Sequence, residues 1–313
     1  MRRIGVLGLG NMGSIIAARL LSAGFEVWVN NRTAERAKGL LDAGAQWAAS
    51  GDALADQVDL LITMVADDSA LREVTTGAGG VLTRSHPGLC YADMSTVSPA
   101  ASAQVAKAAD AIDVLYVRAP VSGSTVLAEA GALGIMASGP PRAREAFAEA
   151  FAVIGKRVFQ LGDGEQARVM KLALNTLVAQ TVIGLSEALV LGARCGLDWQ
   201  TMLDVFGDSA VASPLVQYKA ATLAERNFEA AFTTSMMAKD LDVAIELGRE
   251  AGAVMPTTAL SQQLLQAVCG LGWGEQDFSA AVLMYELLAA GDESAPADDE
   301  VRSTKGLNGE TER

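Results

Sequence analysis

The feature that most constrains this chain is Gly8-Leu9-Gly10-Asn11-Met12-Gly13, which follows a short apolar run, Ile4 to Leu7, and opens an amphipathic segment, Asn11 to Ser22. A strand that turns into a helix through G-x-G-x-x-G begins a βαβ unit. The first glycine makes the turn, the second lets backbone approach a ligand, and the third packs helix on strand. Free N–H groups and the helix dipole favour an anion at such a helix start. Gly8, Leu9, Gly10, Asn11, Met12 and Gly13 are therefore expected to hold the pyrophosphate of a dinucleotide. The same residues argue against a secretory leader after Arg2-Arg3, because Gly8, Gly10, Asn11 and Gly13 interrupt the apolar run.

Short apolar runs alternate with helix-length segments as far as Leu161, which predicts parallel strands joined by crossover helices. Strands are expected near Ile4–Leu7, Glu26–Asn30, Leu60–Val65, Leu89–Met94, Val114–Arg118, Gly134–Ala137 and Val158–Leu161. Helices are expected at Asn11–Ser22, Ala34–Asp42, Pro99–Ala109 and Arg142–Val153. The fold class is α/β, a Rossmann-type doubly wound sheet over residues 1–163. From Glu165 to Arg194 apolar residues recur at helical spacing over an unusual length, so one long helix leads into an all-α domain, residues 164–290. Its further helices lie near Trp199–Gly207, Pro214–Leu223, Met237–Ala251, Thr257–Leu271 and Ser279–Ala289. Residues 291–313 are polar and aperiodic and read as a disordered acidic tail.

With 313 residues, half of them hydrophobic, two domains and a tail are affordable. The net charge of -13, with no Lys/Arg cluster, speaks against nucleic acid as a partner. Cys90, Cys195 and Cys269 are widely spaced, which disfavours a metal site and a disulfide framework and suits the cytoplasm. The single histidine, His86, falls in a loop between a helix and a strand. No later stretch offers about 18 uninterrupted apolar residues, so no membrane span is expected.

The end of the second strand indicates which dinucleotide is bound. NAD-binding versions usually place an acid there for the ribose 2′-hydroxyl, whereas this chain reads Asn30-Asn31-Arg32-Thr33. A carboxylate would repel a 2′-phosphate and a guanidinium would pair with it, so Asn31, Arg32 and Thr33 point to NADP(H). Met64 and Val65, at the end of the strand Leu60–Val65, complete the expected cofactor contacts.

Two later segments fall where strand ends should open onto a crevice: Asp93-Met94-Ser95-Thr96-Val97-Ser98-Pro99 and Ala119-Pro120-Val121-Ser122-Gly123-Ser124. Their hydroxyls and backbone N–H groups suit a small carboxylate, although the same residue types are ordinary in loops and caps. On the long helix, Lys171 and Asn175 share one face at i and i+4, amid Met170, Leu172, Ala173, Leu174 and Leu177. Such surroundings would desolvate the amine and suit it to proton transfer, with Asn175 orienting a substrate oxygen. A lysine on a helix more often simply snorkels to solvent, so this reading needs the other motifs.

Together these motifs resemble the β-hydroxyacid dehydrogenase family, which includes 3-hydroxyisobutyrate dehydrogenases, tartronate semialdehyde reductases and NADPH-dependent glyoxylate/succinic semialdehyde reductases. The resemblance rests on Gly8–Gly13, Asp93–Thr96, Ala119–Gly123, Gly162–Asn175 and Lys239-Asp240-Leu241. It implies Lys171 as acid/base, Asn175 as its partner, and Ser122 with Gly123 as the carboxylate grip. It also implies Thr96, Phe232 and Asp240 as pocket positions and puts Thr96 and Lys239 beside the cofactor. Ala119–Ser124, Gly155-Lys156-Arg157 and Ser186–Leu191 are most similar to the glyoxylate/succinic semialdehyde reductase branch. Two departures bear on substrate choice. Arg118 stands where the family usually has an acid before Ala-Pro, and Gly162-Asp163-Gly164-Glu165-Gln166-Ala167 does not keep the usual glycine spacing.

The implied reaction is reversible hydride transfer between the nicotinamide and a small aldehyde or keto acid, or its hydroxy acid. Lys171 argues against an imine reductase on the same scaffold, whereas a serine or threonine dehydrogenase keeps such a lysine. A catalytically inactive dinucleotide-binding protein is the third reading. A homodimer or homotetramer is expected, because the long apolar helix exceeds what one small domain covers.

Overall fold

The computed structural model describes residues 2–290; the expected acidic tail, 291–313, lies outside the described residues. Among the described residues nine strands form: β1 (Arg3–Leu7), β2 (Glu26–Asn30), β3 (Gln46–Trp47), β4 (Leu60–Thr63), β5 (Cys90–Asp93), β6 (Leu115–Arg118), β7 (Val121–Ser122), β8 (Leu133–Ala137) and β9 (Gly155–Gln160). The first six make one parallel sheet in the order β3-β2-β1-β4-β5-β6. Chain direction across the sheet reverses between β1 and β4, and that switch point opens the crevice where α/β proteins bind ligands. Apolar side chains from both faces are sealed by helices. One core gathers Ile4, Val6, Ile16 and Leu20 with Phe147 and Phe151, and the other gathers Leu54, Leu61, Leu71, Leu89 and Val105.

The single sheet expected from the sequence is in fact two, since β7, β8 and β9 form a separate sheet with β7 antiparallel to β8. Pro120 explains the break: lacking an N–H, it cannot extend the β6 ladder, and the chain leaves the main sheet there. Arg118 still pairs with Ser138 through both backbone bonds, which joins the two sheets at this corner.

Other differences have local causes. β3 is only two residues long, too short for a periodic signal, and the crossover helices Gly51–Gln57, Asp68–Thr76 and Thr125–Glu129 are too short for their bounds to be read from the sequence. Ser50 and Asp67 cap the first two of these by accepting from Ala53 N and Ala70 N. The expected helix Arg142–Val153 breaks at Phe147 into Pro141–Ala146 and Ala148–Ile154. The segment Ala34–Asp42 begins as a 3-10 turn, and the helix after Met255 loosens into a π turn, Cys269–Trp273, where Gly272 takes φ 89°.

Gln166–Arg194 forms one helix of 29 residues. Thr234–Glu250, Pro256–Val268 and Ala281–Ala290 pack around it. An 18-residue window of this helix averages a hydropathy of 1.5, enough to cross a bilayer by composition, yet 44% of that window is buried inside the fold. Ser138 links the helix start to β8, since its Oγ donates to Gly164 O at 2.6 Å and accepts from Ala167 N at 3.2 Å.

Candidate active site

The glycine loop has little freedom to be anything else. Gly8 takes φ +96°, and a Cβ there would lie 2.2 Å from Met64 O. A Cβ on Gly13 would lie 1.9 Å from Gly8 O, so helix and turn touch through backbone alone. Gly10 differs, because a Cβ there would meet no atom within 4 Å. It is the N-cap of the helix Asn11–Ser22, where no side chain caps the free N–H groups. The residues present thus fit a pyrophosphate: the backbone is close-packed beneath and open above.

Asn31 braces this loop. Its Oδ1 accepts from Leu9 N at 2.9 Å and its Nδ2 donates to Thr33 O at 2.9 Å, so both ends of the amide are engaged with protein. Arg32 and Thr33 beside it are exposed. Among the described residues the Arg32 guanidinium has neither a hydrogen bond nor an ion pair, leaving its planar fork free for an anion.

Met64 N donates to Leu7 O at 2.9 Å, and Val65 N donates to Ser95 Oγ at 2.8 Å, so the loops after β1, β4 and β5 are tied together at the crevice. The same Ser95 hydroxyl donates to Asp93 Oδ1 at 2.6 Å. Thr96, next along, offers its carbonyl to Lys239 Nζ at 2.8 Å, which joins the helical domain to the loop.

Lys239 also pairs with Asp240 Oδ1 at 2.8 Å, and Asp240 is wholly buried. The other carboxylate oxygen accepts from Asn175 Nδ2 at 2.6 Å. Lys171 sits one turn before Asn175, half-buried, and among the described residues its Nζ has no hydrogen-bond partner. Burial pushes the Lys171 amine below its ordinary value of 10.5, the Asp240 charge opposes that shift, and the Lys239 charge adds to it. The arrangement is a titratable amine beside an amide that is held by a buried carboxylate.

Of the residues singled out from the sequence, Lys171, Asn175, Asp240, Lys239 and Thr96 are thus brought together, as are Gly8–Gly13, Asn31, Met64 and Val65. Ser122 and Gly123 lie on β7 and the turn after it. Gly123 takes φ +134°, and a Cβ there would press to 2.7 Å from Leu133 Cδ2. Phe232 leads into the helix Thr234–Glu250 and meets Phe278 edge-on at 6.3 Å. Among the described residues no hydrogen bond joins Ser122 or Gly123 to Lys171.

The first departure from the family pattern, Arg118, pairs with a residue of the segment that carries the second, Glu165. Arg118 Nε donates to Glu165 Oε1 at 2.8 Å, its Nη2 reaches the same oxygen, and the guanidinium stacks over Tyr116 at 4.8 Å. Glu165 stands at the cap of the long helix, so the pair fastens that helix to β6.

Sequence reasoning missed Arg168 and the buried polar roles of Asp93 and Ser95. Arg168 is 1% exposed. A charged residue amid an apolar helix, three positions before Lys171, was the available signal. Among the described residues no group of three or more His, Cys, Asp or Glu could hold a metal.

Two family models cover nearly all of the described chain. Residues 3–162 match the NAD binding domain of 6-phosphogluconate dehydrogenase, and residues 165–285 match the NAD-binding domain of NADP-dependent 3-hydroxyisobutyrate dehydrogenase. The chain is 33% identical to 2-(hydroxymethyl)glutarate dehydrogenase of Eubacterium barkeri, over 91% of this chain and 95% of that one. It is 34% identical to glyoxylate/succinic semialdehyde reductase 1 of Arabidopsis thaliana, over 89% of this chain and 96% of the other. Among solved structures, 3-hydroxyisobutyrate dehydrogenase from Salmonella typhimurium superposes with a TM-score of 0.84 at 26% identity, covering 91% of this chain and 100% of that one.

Proposed function

The chain belongs to the β-hydroxyacid dehydrogenase family, related to 3-hydroxyisobutyrate dehydrogenase, and from that premise we propose that it is an NADPH-dependent reductase of a small aldehyde or keto acid, reversible toward the hydroxy acid. As a member it is an oxidoreductase that acts on CH–OH groups with a nicotinamide dinucleotide. When bound, that cofactor supplies or accepts the hydride.

The observation that carries the reading is the Lys171 amine, half-buried, unpaired among the described residues, and lowered by burial toward the range where it can exchange a proton. In reduction the Lys171 ammonium gives a proton to the carbonyl oxygen of the substrate, and in oxidation the neutral amine removes one. Asn175 has committed an N–H to Asp240, which fixes the plane of its amide and turns its carbonyl oxygen away from the carboxylate. It orients the Lys171 amine and the reacting oxygen. Asp240, tied to both Asn175 and Lys239, acts as the charge that steadies this cluster, a different role from the substrate contact implied by the resemblance.

Ser122 and Gly123 grip the substrate carboxylate, with Thr96 and Phe232 shaping the remaining space. Gly8–Gly13 would hold the pyrophosphate, and Met64, Val65, Thr96 and Lys239 would contact the rest of the cofactor. Arg32, with Thr33, takes the 2′-phosphate, while Asn31 supports the loop. The preference for NADP is supported by the free Arg32 fork and by the lack of an acid in Asn30-Asn31-Arg32-Thr33 at the end of β2.

The exposed side of the long helix supports a homo-oligomer. Met170, Leu177 and Leu191 are 47%, 63% and 66% exposed, and the heptad position between the last two is Gly184, which a Cβ would leave open. That stripe suits a second copy of the helix. Three free cysteines are in keeping with a reducing, cytoplasmic setting.

The test is a rate panel. NADPH is paired with glyoxylate, succinic semialdehyde and tartronate semialdehyde, and NADP with 3-hydroxyisobutyrate, serine and threonine. The proposal expects the highest kcat/KM with a semialdehyde or glyoxylate. Turnover confined to serine or threonine would replace it with an amino-alcohol dehydrogenase.

A further inference from the structure

We propose that Arg168 is a positioning residue for the reaction: it locks the long helix to the loop after β5 and so fixes Lys171 relative to the cofactor crevice. The inference rests on the reading of Lys171 as the proton donor.

Arg168 lies three residues before Lys171, about one helical turn. It is the largest wholly buried side chain in the described protein, and its guanidinium leaves the helical domain to enter the Rossmann domain. Nη1 donates to Ser95 O at 2.6 Å. Nη2 donates to the Asp93 carboxylate and, at 3.0 Å, to the Tyr116 hydroxyl. Nε donates to Ser102 Oγ at 3.2 Å. A guanidinium has five N–H donors in a fixed fork, and nearly all are used here. The environment is fully committed to the charge, since Asp93 and Tyr116 hold the Arg168 proton more tightly than usual despite burial.

What distinguishes this cluster from an ordinary buried ion pair is where its acceptors lead. Asp93 Oδ1 takes hydrogen bonds from Thr63 Oγ1 and Ser95 Oγ, both at 2.6 Å, and so connects the ends of β4 and β5. Ser95 Oγ receives Val65 N, and the next carbonyl, Thr96 O, receives Lys239 Nζ. Residues 93–96 are therefore strapped by Arg168 on one side and by Lys239 on the other. The helix that carries the proton donor is thereby tied to the loops after β4 and β5 that line the cofactor crevice. Misplacing a reacting group by about 1 Å can cost on the order of a hundredfold in rate, so such a strap controls chemistry and not only stability.

The experiment uses Arg168→Lys, which keeps a positive charge for Asp93 but cannot reach four acceptors from one ammonium. Single-turnover hydride transfer, NADPH affinity by fluorescence titration, and thermal midpoint are measured in the wild-type and Lys171→Met backgrounds. The proposal expects a loss of about tenfold or more in single-turnover rate, with NADPH affinity within about threefold of wild type. It also expects the loss to shrink to less than about threefold once Lys171 is gone, because residues that act through one another are non-additive. An unchanged rate, or the same loss in both backgrounds, would overturn it. If Arg168→Lys does not fold, the double variant Ser102→Ala/Tyr116→Phe carries the same test, since it removes the acceptors of Arg168 Nε and of one Nη2 bond while sparing the Arg168–Asp93 pair. Near wild-type turnover in Lys171→Met alone would instead overturn the reading of Lys171, a separate outcome from failure of the strap.

Discussion

Asn175 donates its Nδ2 hydrogen to Asp240 Oδ2 at 2.6 Å, and Asp240 is the negative charge that opposes the burial-driven fall of the Lys171 pKa. One carboxylate therefore orients the amide and tunes the amine. Asp240→Asn should lower the Lys171 pKa further, because the opposing charge is gone while burial remains. Reduction needs the ammonium, so its falling limb should move to lower pH, and the rising limb of oxidation should move with it. pH profiles of kcat in both directions check this; a limb displaced to higher pH would refute it.

Arg32, exposed and unpaired among the described residues, should set the cofactor. Arg32→Asp removes the fork and adds a charge that repels a 2′-phosphate. Losing the charge-assisted bonds should cost about 1.5–3 kcal/mol, roughly ten- to a hundredfold in kcat/KM for NADPH. The same change should leave NADH use unchanged or improved. Equal efficiency of the wild type with NADPH and NADH would remove the argument.

Much of this was legible in the sequence, and the reasons differ by residue. The glycine loop could be read because backbone geometry leaves Gly8 and Gly13 no alternative. Lys171 and Asn175 could be paired because helical spacing is fixed. Asp240 could not be joined to them by any periodic rule, because Asn175 and Asp240 lie 65 positions apart on different helices. The strap at Arg168 is equally non-local, and its separation of 75 positions from Asp93 is a tertiary fact. The split into two sheets could have been suspected from Pro120, whose missing N–H is visible in the sequence, but the direction taken by β7 could not.

Arg118, which departs from the family pattern, is bonded to Glu165, which lies in the segment of unusual glycine spacing. Arg118→Met alone should strand a largely buried carboxylate and destabilise the fold by about 3 kcal/mol, the low end for breaking a buried pair. The double variant Arg118→Met/Glu165→Met should recover a good part of that loss, and its ranking of substrates should match the wild type. Chemical denaturation of the wild type, Arg118→Met, Glu165→Met and the double variant measures the coupling. Strict additivity would mean that the pair contributes nothing.

The exposed heptad of the long helix should mediate assembly. Leu177→Glu with Leu191→Glu places charge on that stripe without touching buried positions, so it should yield a folded monomer by light scattering at micromolar concentration. A wild-type protein that is itself monomeric there would contradict the assignment.

Lys171→Met tests the central claim most directly, because it preserves most of the side-chain volume while removing the transferable proton. Single-turnover reduction of the best substrate should fall by roughly a hundredfold or more, with NADPH affinity nearly unchanged. Near wild-type turnover under conditions where hydride transfer limits the rate would remove Lys171 from the mechanism.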